Sequence, residues 1–147
     1  MTDLHLVVVI AGERVALPAQ AIESVIEVGE AVPVPLAAPH IVGLAALRSR
    51  VVTLIDCRVA PGFPPPPADA EGDRRQAVIV MIDSYCYGLL VDVVEDVCPA
   101  IPADAGLAAT LDPAWARAVT DMVAAGDALL PTLDPAALIA GSAAMAA

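Results

Sequence analysis

Apolar residues along the chain come in short, β-branched runs separated by turn residues. Leu4 to Ala11 (LHLVVVIA) ends at Gly12-Glu13, and Arg14 to Leu17 is apolar again, which predicts a strand, a tight turn and a returning strand. Pro18 to Val28 carries Ile22, Val25, Ile26 and Val28. Its periodicity fits either a strand with an irregular start or a strand entered through one helical turn. Pro33, Pro35 and Pro39 exclude a helix, Gly43 to Leu47 resumes an extended pattern, and Val51 to Ile55 is the most strand-like run. Beyond a proline-rich stretch, Ala77 to Ile82, Tyr85 to Val91 and Val93 to Val97 are predicted strands. Asp112 as N-cap with Pro113 behind it predicts a short helix through Val119. Leu129 to Leu133 reads as a last strand, Pro135 to Ala140 as a last helical turn, and the Ala-rich tail as frayed.

The stretch Pro61 to Asp73 (PGFPPPPADAEGD) holds five of the fourteen prolines and little apolar surface, so burial cannot offset its ordering entropy. It is predicted to be a surface loop or spacer. The halves on either side echo each other. Shifted by 72 residues, Val7 to Val25 lies over Ile79 to Val97, strand over strand and turn over turn. Val51 to Asp56 (VVTLID) likewise matches Leu129 to Asp134 (LLPTLD), in the same order along the chain. The expectation is one domain over residues 1–147. It has a first lobe near 4–60, a loop over 61–75 and a second lobe near 76–140, and strands are free to cross between lobes. Many short strands with few helical segments indicate an all-β chain with short helices, and closing each small sheet into a barrel removes exposed edges.

Charge narrows the partners. The chain has formal net charge −11 and no lysine, which argues against nucleic acid and against acidic membrane surfaces. Its apolar runs are too short for membrane insertion, and the N-terminus has no secretory pattern, so a cytoplasmic protein is expected. Cys57, Cys86 and Cys98 have no C-x-x-C spacing and are expected to be free, mostly buried thiols.

No catalytic signature is present. There is no phosphate-binding glycine motif, the lack of lysine removes Schiff-base chemistry, and His5 and His40 have no partner nearby in sequence. His40, after a proline, is expected at the surface. Asp92, Glu95 and Asp96 read as a solvated strand edge rather than a cation site. No cofactor or metal is implied, and the chain reads as a binding module rather than an enzyme. Within ALRSRVVTLID, Arg48 and Arg50 stand two residues apart in a chain with only seven arginines, and in an extended segment they share one side. Either they neutralise nearby carboxylates or they anchor a partner through their planar donor forks.

These residues also carry a resemblance. GLAALRSRVVTLIDCR, Gly43 to Arg58, resembles the G-v-x-N-L-R-G-x-V-x-x-x-x-D-L-R signature of the CheW family of chemotaxis coupling proteins. VALPAQAIESVIEV is similar to the family's L-P-x-x-x-V-x-E-V segment, and PVPLAAPHIVG to its P-x-P-x-x-P-x-F-V-x-G approach. AVIVMIDSYCYGLLVDVVEDV and LLPTLDPAALI resemble the second-half blocks, so the likeness spans about Leu4 to Ile139.

The resemblance implies two five-stranded, SH3-like barrels. It also implies a non-enzymatic adaptor that couples the cytoplasmic tip of a chemoreceptor to the regulatory domain of a CheA-type histidine kinase. Such a protein is cytoplasmic and sits at the receptor array through its partners. The receptor-contact candidates it brings are Arg48 with its neighbour Leu47, and Ile22, Ser24 and Val25; Arg50 is a further possible partner contact. Four positions depart from the pattern: Ala46 for Asn, Ser49 for Gly, Ser24 for Glu and His40 for Phe. A CheW-like module that senses a small ligand, without receptor contact, is the alternative reading.

Overall fold

The computed structural model describes residues 3–28, 31–47, 49–59, 75–103, 119–126 and 128–140. Ten strands and a short helix follow in order: β1 (Asp3–Ile10), β2 (Glu13–Pro18), β3 (Ile22–Val28), β4 (Ile41–Leu47), β5 (Arg50–Asp56), β6 (Arg75–Ile82), β7 (Tyr85–Val91), β8 (Val93–Pro102), β9 (Val119–Ala125), β10 (Ala128–Leu133) and α1 (Pro135–Ala140). A 3-10 turn over Ala19–Ala21 leads into β3, which resolves the ambiguous start of that segment in favour of the helical turn. The strand β9 (VTDMVAA) has no counterpart in the sequence expectations, and Val119 opens it rather than closing a helix. The rest of that expected helix, the proline-rich stretch and the Ala-rich tail lie outside the described residues.

Strands from both sides of the proline-rich stretch enter both sheets. One is a closed barrel, β1-β2-β10-β9-β8, and the other a five-stranded sheet in the order β3-β6-β7-β5-β4. The internal repeat explains this arrangement. Moving β1, β2 and β3 by 72 residues gives β6, β7 and β8, and the pair β4-β5 corresponds to β9-β10. Each sheet therefore has the same strand order with one segment exchanged between halves. Local chemistry repeats as well. Ala11 and Gly12 (φ 53° and 82°) connect β1 to β2, and Asp83 and Ser84 (φ 51° and 69°) connect β6 to β7. Both are two-residue turns with two positive φ angles, whose twist suits a hairpin.

Closure is where the copies differ. β8 and β9 pair at Ile101 with Ala124 and at Pro102 with Val123. Among the described residues β3 and β4 share no ladder, and β4 pairs beyond β5 at the bridge between Val32 and Leu44, each amide donating to the other's carbonyl at 2.8 Å. Gly43 permits this approach. A Cβ on it would stand 2.4 Å from the Val32 carbonyl oxygen, far inside contact distance.

Three apolar clusters follow from strand alternation. Val7, Ala16, Ala100, Val123 and Leu130 fill the closed barrel. Val28, Val52, Leu54, Ala77, Ile79, Cys86 and Leu90 fill the second sheet. The outward faces of the same strands meet in the largest cluster, with Leu6, Val8, Ile10, Leu17, Ile55, Val78, Val80, Leu89 and Leu133 packed under Leu138 of α1. This shared apolar cluster joins the two sheets.

Two polar contacts reinforce that junction. His40 is buried, correcting the surface expectation: its Nε2 donates to the Ile139 carbonyl at 2.7 Å, tying the approach to β4 to the end of α1. Asp92, between β7 and β8, accepts from the Ala11 amide at 2.8 Å and lies 3.8 Å from the Arg58 guanidinium. The acidic run from Asp92 to Asp96 is thus partly used internally, since Glu95 also pairs with Arg14 at 2.7 Å.

Candidate functional site: a groove between the unpaired edges

Because β3 and β4 do not pair, a gap remains beside their free edges. It forms a groove of about 390 Å³ lined by Glu23, Ser24, Val25 and Ile26 from β3, Leu47 from the end of β4, and Arg50 from the start of β5. Four of the sequence-predicted site residues, Ser24, Val25, Leu47 and Arg50, are brought together here although up to 26 positions separate them.

Alternation along β3 decides what each side chain presents. Ile26 and Val28 face the sheet interior with Ala77, and Ser24, half-buried, continues that face toward the groove opposite Ile79. Val25 faces outward and is exposed. Ile22 does not line the groove. It packs partly buried against the cluster between the sheets. A register shift between Ile22 and Ser24 against β6 swings Glu23 outward beside the groove.

Leu47 and Arg50 are paired at the end of the β4–β5 ladder. The expected same-side relation of Arg48 and Arg50 involves a residue that is not described. Arg48 lies outside the described residues. Arg50 reaches across to β3: Nη2 is 2.6 Å from Glu23 Oε1, Nη1 is 3.4 Å from Oε2, and Nη1 also meets the Met81 sulfur at 3.8 Å. This hydrogen bond, with the Arg50 charge behind it, holds the Glu23 carboxyl below the usual glutamate range. Partial desolvation opposes the shift. The same pair raises Arg50 above its ordinary value.

Glu23 is the residue that sequence reasoning missed. The family pattern places a Glu at position 24, where this chain has Ser, and the acidic group stands one residue earlier. The positive charge of the segment is therefore partly neutralised, as one of the two readings held. Both side chains still remain about two-fifths exposed. Met81, whose sulfur Arg50 meets, is itself 42% exposed. Among the described residues no group of three or more His, Cys, Asp or Glu is placed to hold a metal, and no helix is long and apolar enough to cross a membrane.

Two β-sheets of five strands, related by strand exchange and sharing one core, are the architecture of paired SH3-like barrels. The solved structure of the scaffolding protein TtCheW from Thermoanaerobacter tengcongensis has this fold. It superposes with a TM-score of 0.72 over 91% of this chain and 90% of that one, at 20% identity. No curated protein matches the chain in sequence. The profile of the CheW-like domain covers residues 4–143, nearly the whole length, and the chain belongs to the CheW-like domain family.

Proposed function

We propose that this protein is a non-enzymatic adaptor of a chemosensory array, coupling the cytoplasmic tip of a chemoreceptor to the regulatory domain of a CheA-type histidine kinase. The groove between β3 and the β4–β5 hairpin is the receptor-docking site. The observation that carries this reading is the convergence of Ser24, Val25, Leu47 and Arg50 on one groove. Family membership over residues 4–143 supports the adaptor role. Leu47 and Val25 supply apolar contact, while Arg50 and Glu23 supply a donor fork and an acceptor that fix orientation. Arg48, adjacent in sequence to the groove, belongs to the same contact set on the family pattern. The protein reaches the membrane-proximal array through these partners. The test is calorimetric titration with a receptor-tip fragment and, separately, with the regulatory domain of each CheA-type kinase of the same genome. Micromolar binding of one kinase domain, and receptor binding weakened about tenfold by Arg50→Ala, is the expected result. Kinase binding with no receptor binding would reject the groove assignment, and binding of neither would reject the adaptor role.

A further inference from the structure

The closed barrel carries a second pocket, apart from the groove of the other sheet. At one end of its interior is a cavity of about 210 Å³ lined by Leu4, His5, Pro18, Gln20, Thr120, Asp121 and Thr132. Thr132 is only 3% exposed, yet its Oγ1 has no hydrogen-bond partner among the described residues. Asp121 sits directly across the β9–β10 ladder from Thr132, so the two side chains share a face. The carboxylate nevertheless leaves the hydroxyl unpartnered. It is itself exposed and forms no ion pair with any described residue. A buried hydroxyl left unsatisfied costs stability, and a neighbouring acceptor that ignores it points to an occupant serving both.

The internal repeat supplies a control. Thr132 stands over Ala16 in the barrel, and the corresponding pair in the second sheet is Leu54 over Gly88. There the space is filled: a Cβ on Gly88 would come within 2.8 Å of Leu54 Cδ2. His5 corresponds by the same shift to Ala77, a buried apolar residue. The barrel thus replaces leucine, glycine and alanine with threonine, alanine and histidine, and exchanges a packed apolar interior for a polar cavity.

We propose that this cavity binds a small molecule bearing both an ammonium and a hydroxyl or carbonyl group. The ammonium is held at Asp121 and the second group reaches Thr132 Oγ1, with Gln20 and Thr120 at the rim. A chain with eighteen carboxylates and no lysine favours a cationic ligand over an anionic one. The site is independent of the receptor groove, which lies in the other sheet.

The test is a ¹H–¹⁵N NMR titration of the full chain with 3-amino-1-propanol, with 1-propanol as the probe lacking the ammonium. Saturable shifts confined to His5, Gln20, Thr120, Asp121 and Thr132 are expected, with 1-propanol at least about tenfold weaker. Thr132→Val keeps the shape and removes the unpartnered hydroxyl, so it should fold with an equal or higher Tm and lose most of the binding. Asp121→Asn, at the exposed rim, should fold normally and bind at least about tenfold more weakly. Non-saturating or absent shifts, equal binding of 1-propanol, or full binding by either variant would overturn the proposal.

Discussion

Arg50 Nη2 lies 2.6 Å from Glu23 Oε1, joining β5 to β3 across a sheet in which those strands have no backbone pairing. The pair lies in the groove beside the edges that β3 and β4 leave unpaired, and it sets charge beside Ser24, Val25, Ile26 and Leu47. It is exposed, and exposed ion pairs contribute little to folding. Its consequence lies in orientation and recognition.

Glu23 should report the pair directly. Its folded pKa is depressed, first by the hydrogen bond from Arg50, so the contribution of the pair is complete above the unfolded carboxyl's pKa. It is lost as pH falls through the folded value. Arg50→Gln should move the Glu23 carboxyl back up toward the ordinary range, read from its side-chain carbon shift in a pH titration, with little change in Tm. An unaltered Glu23 titration would mean that the pair does not form in solution.

Gly43→Ala should be among the most damaging single-methyl additions to the chain. The new Cβ meets backbone, the Val32 carbonyl at 2.4 Å, and backbone cannot rotate away as a side chain does. A loss of about 2–4 kcal/mol is expected in urea unfolding, with early exchange of the Val32 and Leu44 amides that form the bridge. Gly88→Ala meets the flexible end of Leu54 instead and should cost less, about 1–3 kcal/mol.

His40→Leu keeps an apolar body in place and removes the donor to the Ile139 carbonyl. The expected cost is about 1–3 kcal/mol, with protection lost first in α1. Equal stability and unchanged exchange in α1 would show that this bond does not hold the helix.

Cys57 and Cys86 are buried and Cys98 is half-buried, all as free thiols. A colourimetric thiol reagent should modify Cys98 first in the native protein, and the other two only at the rate of unfolding. Rapid native reaction of Cys57 or Cys86 would contradict the packing.

Much of this architecture is legible in the chain because period-two alternation and turn residues are local signals. The shift of 72 residues correctly lays β1 and β2 over β6 and β7, down to turns of the same hand at Ala11-Gly12 and Asp83-Ser84. β9 escaped because Thr, Asp and two Ala dilute its pattern. Extending the match of VVTLID with LLPTLD backward, onto Gly43–Leu47 and 121–125, would have found it. What local patterns do not encode is which distant strands adjoin. Glu23 is paired with a residue 27 positions away, and His40 is buried by a helix 99 positions later. Ser24, Val25 and Leu47 follow from the family pattern and Arg50 from the close pair of arginines, but the gap that unites them exists only because β3 and β4 fail to pair.

The central claim is that this gap receives a chemoreceptor. The most direct measurement is an NMR titration of the isotope-labelled chain with an unlabelled receptor cytoplasmic-tip fragment, repeated with Arg50→Glu. Saturable shifts centred on Ser24, Val25, Leu47 and Arg50, abolished by the charge reversal while the spectrum stays folded, are the predicted result. Saturable shifts elsewhere on the molecule, with the groove silent, would contradict it.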